Sequence, residues 1–271
     1  QPKSSKGSLN IQINKTEHQP SIAKIIIEAD HYLYHKWSFF GEEYVEESNI
    51  NWHLDHINKK TAPKKFSFSI NHRNYEEVGN IKVIWEKNRH HHLTIMAMAY
   101  FLTKEEKYAR EVVEQIKDWI KDNPLRIGVN WTHPLENGIR LMSWVYCERF
   151  LGGSDYYDVL FNKNSLFWLS VYQHKKFIIK THSIGSSANN HLIGEMAGLF
   201  ISSTFWPYFK QSKRWKDYSK KKLEKEIIRQ SVSSGVNQEM AFGYQIFVYE
   251  FLLLCYLESN EYNNIFSEIL T

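Results

Sequence analysis

Most of this chain carries the hydrophobic periodicity of α-helices. From Trp85 to residue 258, apolar residues recur at three- and four-residue spacing, as at Val112, Ile116 and Trp119. That spacing places them on one face of an α-helix. Glycine (12) and proline (6) are scarce among the 271 residues, which disfavours a β-sandwich with its many tight turns. We therefore predict an all-α fold.

The same pattern predicts seven or eight helices whose short connections would make antiparallel helix hairpins. The first helix begins at Ser21, and Thr103 and Glu106 are spaced as a capping box. The other helices are expected at about residues 85–100, from the capping box to just before Asn123, from residues 132–134 to just before Gly152, and at about residues 156–179, 188–204, 211–233 and 238–258. Residues 37–83 show no clear period and are predicted to be irregular. We expect a polar segment at residues 1–20 and one domain at residues 21–271.

Charge and hydropathy exclude two classes of partner. The formal net charge is only +4, and acidic Asp217 and Glu224 interrupt the basic residues of 213–225. A solvated helix face is favoured there over a nucleic-acid patch. The longest apolar stretch, residues 247–257, contains Glu250 and is predicted to be a core helix rather than a membrane span. We predict neither a nucleic-acid partner nor a membrane span.

The two cysteines and the first residue are relevant to the cellular compartment of the protein. Cys147 and Cys255 lie within apolar helical patterns, so buried free thiols are expected and a disulfide is unsupported. The chain begins at Gln1 without a methionine or an apolar leader. We expect a leader or other upstream sequence to precede it.

Aromatic residues make up 15% of the chain, more than core filling ordinarily needs, so some rings are expected to contact a ligand. Glu136, Arg140 and Trp144 are spaced i,i+4 and share a helix face, and Trp85 and Arg89 repeat the spacing. This row is either a surface ion pair with a packed ring or a sugar-binding face. In a sugar-binding face, arginine would hold an anionic group and tryptophan would stack on a pyranose ring.

Residues 185–192 place polar groups where a loop enters a helix. One interpretation is a helix cap, with Ser187 or Asn189 accepting backbone N–H bonds. The other is a carboxylate receptor, because Asn190 stands beside His191 and the positive end of the helix dipole. The sequence favours neither interpretation.

A second candidate segment is residues 235–245. Asn237 can cap a helix there, and Gly243 leaves room for close approach beside Tyr244. A tyrosine can act as general acid or base when its surroundings lower its pKa. The run His90-His91-His92 suggests a metal, but consecutive helical residues point about 100° apart and cannot converge on one ion. No metal site is predicted.

Four segments, taken in order, resemble the N-terminal domain of the heparinase II/III-like polysaccharide lyases. They are residues 85–90, residues 128–131 with Glu136, Arg140 and Trp144, residues 189–192, and residues 235–244. The resemblance spans about residues 20–258. It implies an incomplete α/α toroid of antiparallel helix hairpins, with a cleft for an acidic polysaccharide.

The resemblance also implies a reaction. Such a lyase removes the C5 proton of a uronic acid and breaks the bond at C4, and neutralising the C6 carboxylate makes that proton more acidic. Asn190 would neutralise the carboxylate with His191 as helper or substitute, and Tyr244 would protonate the leaving O4 and is also a candidate to take the C5 proton. The residues expected to position the sugar are Trp85, Arg89, Trp131, Glu136, Arg140, Trp144, Asn189 and Glu239.

The family pattern differs from this chain at two points. Relatives carry a large C-terminal β-sandwich domain, often with a catalytic histidine and a metal site, whereas this chain ends at Thr271. We expect a covalent C-terminal β domain in the full-length protein, a metal ion only there, and no cofactor in this domain. Relatives also commonly show Tyr-His where this chain has Tyr244-Gln245. A periplasmic or secreted bacterial location is expected.

Three functions follow from these residues. The leading hypothesis is a lyase domain acting on a uronate-containing polysaccharide, such as a glycosaminoglycan, alginate or a capsular polymer. A toroid that binds acidic glycan without cleaving it is the second. The third is a helical-toroid glycoside hydrolase, which needs two carboxylates across a cleft. Glu136, Glu195 and Glu239 are its candidates.

Overall fold

A computed structural model describes residues 19–46, 49–232, 235–238, 241–262 and 266. Helices dominate these residues, as predicted for an all-α fold. The helices are α1 (Gln19–Leu33), α2 (Tyr75–Val78), α3 (Ile81–Asn88), α4 (His91–Thr103), α5 (Glu106–Asp122), α6 (Pro134–Phe150), α7 (Ser165–Thr181), α8 (Asn190–Phe205), α9 (Ser212–Gln230) and α10 (Phe242–Glu261). The strands are β1 (Lys36–Phe39), β2 (Glu42–Val45), β3 (Leu54–Asp55) and β4 (Lys60–Thr61).

The prediction of a single helix at residues 85–100 is wrong in one respect, because these residues belong to two helices, α3 and α4. His90 lies between α3 and α4 with φ of 65°, a left-handed conformation that interrupts the helical hydrogen bonds. Its buried ring packs 5.4 Å from the Trp52 ring and 5.5 Å from the Trp119 ring, measured between centroids. Tertiary packing therefore overrides the local helical pattern at this residue.

The capping box predicted at Thr103 and Glu106 does not form. The Thr103 hydroxyl accepts from the Glu105 N–H at 3.1 Å and donates to the Ala99 carbonyl at 2.8 Å, so it serves the end of α4. Lys104 then takes a left-handed φ of 63°, which separates α4 from α5. The hairpin of α4 and α5 is formed across this two-residue connection.

Two further segments differ from the sequence prediction. The helix expected at residues 156–179 is a π-helical turn at Asp158–Asn162 followed by α7, whose start is capped by the Asn164 side chain. Within the region predicted to be irregular, β1 and β2 form an antiparallel hairpin. Its two connecting residues, Phe40 and Gly41, both have positive φ, as a tight primed turn requires.

The chain divides into two compact units. The first unit comprises residues 1–132 and 146–170, and the second comprises residues 133–145 and 171–271, each as far as the structure describes them. A buried amide organises the first unit: Asn88 donates to the Trp52 carbonyl at 2.8 Å and accepts from the Trp119 indole at 2.7 Å. Several aromatic residues of this unit are therefore core residues.

Helix α8 is the centre of the second unit, and nearly all of its residues are buried. It packs against α9 and α10. It also touches the second-unit part of α6, where Gly138 and Gly198 bring the two backbones together. At its C-terminal end, Nζ of the buried Lys175 donates to the Ser202 and Trp206 carbonyls at 2.9 and 3.2 Å.

The cysteine prediction is confirmed, since Cys147 and Cys255 are both buried free thiols. Within the part of the chain that the structure describes, no helix is long and apolar enough to span a membrane.

Candidate active site

Helices α8 and α10 run parallel. Near the start of α8, a Cβ on Gly194 would lie 2.7 Å from the Phe251 ring of α10. Farther along, the rings of Phe205 and Tyr262 are 6.5 Å apart. Both helices advance in the same direction between these two contacts, so their N-termini lie at the same end of the second unit. This shared end, which holds Asn190 of α8 and Tyr244 of α10, is hereafter the N-terminal end of the second unit.

Asn189 is the cap of α8, and this confirms the cap interpretation of residues 185–192 for that side chain. Its Oδ1 accepts from the His191 N–H at 3.1 Å. The Asn189 carbonyl accepts from the side chain of Gln230, the last residue of α9, at 3.2 Å. Asn190 follows as the first helical residue and is 3% exposed. Its amide is thus not the capping group.

Helix α6 also begins at this end. The rings of His133 and His191 meet edge to face, with centroids 4.8 Å apart and planes at 83°. His133 Nδ1 accepts from the Leu135 N–H at 3.3 Å. The N-termini of α6, α8 and α10 therefore lie at the same end of the second unit. Each contributes the partial positive charge of its helix dipole, which favours an anion such as a uronate carboxylate.

Tyr244 is the most accessible of the three predicted catalytic side chains. It lies in the first turn of α10 and is 50% exposed, whereas His191 is exposed to a smaller extent and Asn190 is buried. Gln245 turns toward the preceding loop, where its side-chain carbonyl accepts from the Asn237 N–H at 2.6 Å. Gln245 thus helps to hold the segment that leads into Tyr244.

The predicted i,i+4 row on α6 lies in the interior. Arg140 is fully buried, with Nη1 3.0 Å from His174 Nε2, and the Trp144 ring is 5.0 Å from the His174 ring. Burial lowers the pKa of Arg140 to about 9, and the Glu136 charge acts in the opposite direction. The row is therefore not a surface ion pair. Contact of these three side chains with a sugar stays a prediction.

Three predicted substrate residues lie in the first unit. The Trp85 indole donates to the Val129 carbonyl at 3.2 Å, and Arg89 pairs with Glu86 at 2.8 Å. Trp131 is fully buried and donates to the Asn123 carbonyl at 3.1 Å. Their roles in substrate binding stay predictions. Glu239 lies outside the described residues.

Glu195 has a role that the sequence did not indicate. It is fully buried on α8, and its carboxylate accepts from the Ser183 N–H and hydroxyl, each at 2.7 Å. Burial raises its pKa to about 7. This carboxyl fixes the start of the loop between α7 and α8. An acidic residue amid the apolar stripe of Leu192 and Met196 was the available signal.

Among the described residues, no three His, Cys, Asp or Glu side chains are grouped so that they could hold a metal ion. The run His90-His91-His92 is not continuous helix, because His90 has a left-handed conformation and α4 begins at His91. His92 points into the core, 3.0 Å from Gln115.

Comparison with known proteins identifies relatives along most of the chain. The model of the family described as Heparinase II/III N-terminus matches residues 3–269. A heparin-sulfate lyase from Pedobacter heparinus is 28% identical over 187 residues, which cover 67% of this chain and 28% of that protein. One from Bacteroides thetaiotaomicron is 28% identical over 170 residues, which cover 59% of this chain and 22% of that protein.

Solved structures share the fold. The crystal structure of heparan sulfate lyase HepC from Pedobacter heparinus matches with a TM-score of 0.67 at 21% identity, covering 97% of this chain and 38% of that one. A crystal structure of Heparinase III matches with a TM-score of 0.62 at 21% identity, covering 94% and 36%. The predicted all-α class of helix hairpins is confirmed by this likeness. The chain spans less than two fifths of the length of these relatives.

Proposed function

The chain belongs to the Heparinase II/III N-terminus family, and from this we propose that it is part of a polysaccharide lyase that cleaves a glycosaminoglycan by β-elimination. The observation that carries the proposal is the parallel packing of α8 and α10, because it brings Asn190 and Tyr244 to one end of the second unit. Of the polymers that the sequence left open, we choose a heparan-type glycan because the relatives are named heparin-sulfate lyases.

Each residue has a defined role in the proposed reaction. The Asn190 amide donates to the C6 carboxylate of the uronic acid, so that negative charge developing there on loss of the C5 proton is stabilised. The three helix N-termini add to this effect. Tyr244, as the phenolate, takes the C5 proton, the C5–H electrons form the C4–C5 double bond, and the C4–O4 bond breaks. The exposed Tyr244 phenol gives its proton to the departing O4.

His191 follows Asn190 in the first turn of α8 and is partly exposed. We propose that it contacts the same carboxylate. Trp85, Arg89, Trp131, Glu136, Arg140, Trp144, Asn189 and Glu239 remain proposed positioning residues.

The proposal extends to the whole protein. The relatives are longer than this chain, and we propose that a further C-terminal β domain completes the cleft, with any metal ion held there. The relatives are bacterial, and a glycosaminoglycan lies outside the cell that degrades it. We therefore propose a periplasmic or secreted location.

The test is to incubate the full natural polypeptide with heparan sulfate, alginate and a capsular uronate polymer, and to follow the ultraviolet absorbance of the unsaturated product. We expect product from heparan sulfate and a loss of kcat of about 100-fold or more in Asn190→Ala and Tyr244→Phe. Tyr249→Phe, an exposed tyrosine farther along α10, is the matched control and should keep full activity.

Two results would contradict the lyase. Binding of heparan sulfate without any unsaturated product would favour the non-catalytic glycan-binding protein. Products with new reducing ends and no double bond would favour the glycoside hydrolase, whose described candidate carboxyls, Glu136 and Glu195, are both buried.

A further inference from the structure

His133 occupies an unusual position at the start of α6. It precedes Pro134, the first helical residue, which has no N–H, so the first N–H of the helix that can be capped belongs to Leu135. His133 Nδ1 accepts that N–H. The ring thus does the work that an Asn, Asp or Ser side chain usually does at a helix start.

This hydrogen bond fixes the chemistry of the ring. A nitrogen that accepts a backbone N–H carries no proton, so the proton of the neutral His133 imidazole lies on Nε2. The bond also sets the orientation of the ring plane at the N-terminal end of the second unit.

The His191 ring meets the His133 ring edge to face, at 4.8 Å between centroids. The backbone of His191 is held independently, because its N–H donates to the Asn189 cap. The distance between the two rings depends on how closely α6 approaches α8. That approach is set by backbone contact of Gly138 with Gly198, where no side chain intervenes.

We propose that His133 is a positioning residue for the reaction: it holds the His191 ring in the orientation in which His191 contacts the sugar carboxylate beside Asn190. The inference rests on the proposed function, because it requires His191 to lie in the active site. His133 acts through His191 and does not itself touch the substrate.

A double-mutant cycle on the full natural polypeptide with heparan sulfate tests the proposal. We expect His133→Ala and His191→Ala each to lower kcat by about 10-fold and to change KM less than twofold. Because His133 acts through His191, the double variant should be no slower than His191→Ala alone. Losses that multiply in the double variant would overturn the proposal.

Two substitutions separate positioning from capping. His133→Asn keeps a side-chain acceptor for the Leu135 N–H but removes the ring, so it should restore thermal stability relative to His133→Ala without restoring kcat. His133→Phe keeps the ring edge but removes the acceptor, so it should restore part of kcat and not the stability. The reverse pattern would show that His133 is only a cap.

Two controls separate this inference from the proposed function. His182→Ala removes another part-buried histidine of the second unit, whose ring also meets an aromatic ring, that of Tyr218, and it should leave kcat unchanged. If Asn190→Ala abolishes turnover while His191→Ala has no effect, the role of His133 is refuted and the lyase stands. If Asn190→Ala is fully active, the proposed function itself fails.

Discussion

Substitution of Gly198 by alanine should destabilise the second unit. A Cβ at this position would lie less than 3.0 Å from the Cα, carbonyl carbon and oxygen of Gly138. These are backbone atoms, so no side-chain rotation relieves the clash and the two helices must separate. Overpacking of this kind costs about 3 kcal/mol at the upper end of its usual range, and the better helix propensity of alanine offsets about 1 kcal/mol. We expect a net loss of about 2 kcal/mol.

The glycines of the second unit provide a graded series. At Gly138 a Cβ meets the Gly194 carbonyl oxygen at 2.9 Å, so alanine there should cost less, about 1 kcal/mol net or below. At Gly243 nothing lies within 4 Å, and alanine should be neutral or stabilise by up to about 1 kcal/mol.

Urea denaturation of the three variants measures this order, and turnover of Gly198→Ala measures whether separating α6 from α8 also disturbs His191. Equal stability of Gly198→Ala and Gly243→Ala would refute the close backbone contact.

Two buried ionisable groups predict opposite pH dependences. The Glu195 pKa rises from near 4.5 to about 7 on folding, so the folded state binds protons more tightly and stability falls as pH rises from about 4.5 to about 7. Glu195→Gln should reduce this fall in the free energy of unfolding by up to about 3 kcal/mol, as measured by urea denaturation between about pH 4.5 and 7. Burial instead lowers the pKa of Lys175 well below its ordinary value of 10.5, so stability should rise with pH below 10.5. Lys175→Met should abolish that rise, and an unchanged slope would contradict it.

Local sequence patterns predicted the helices well because the residues that begin or end most of these helices lie within or next to them in the sequence. The start of α8 is an example, since Asn189 caps it as the polar run of residues 185–192 suggested. The end of α5 at Asp122, just before Pro124, followed from the inability of proline to continue a helix. Each of these features depends on residues a few positions apart.

Features that depend on distant residues could not be predicted. The break at His90 arises because its ring fills a space between Trp52 and Trp119, and nothing near His90 in the sequence indicates those neighbours. The placement of Asn190 and Tyr244 at one end of the second unit likewise depends on the parallel packing of two helices that are not adjacent in sequence. The family resemblance indicated both residues, but the local pattern did not bring them together.

Aromatic content alone proved ambiguous, because an indole can be satisfied inside the protein. Trp131 and Trp144 have no exposed surface, and Trp131 has its hydrogen bond within the first unit. A ring with an exposed face can stack on a sugar without rearrangement of the core. At the N-terminal end of the second unit, Phe242 is such a ring: it is 81% exposed and lies two residues before Tyr244.

Phe242 is therefore the ring that we expect to stack on the substrate, and Phe242→Ala should raise KM for heparan sulfate about 10-fold with kcat nearly unchanged. A substitution that weakens binding of the substrate and of the transition state equally raises KM and leaves kcat unchanged. Substitution of Tyr244 should instead lower kcat. Tyr249→Ala, which removes a similarly exposed ring from the same helix but farther from its start, is the control for lost apolar surface. If Tyr249→Ala raises KM as much as Phe242→Ala does, the effect belongs to the whole exposed face of α10 and stacking at its first turn is refuted.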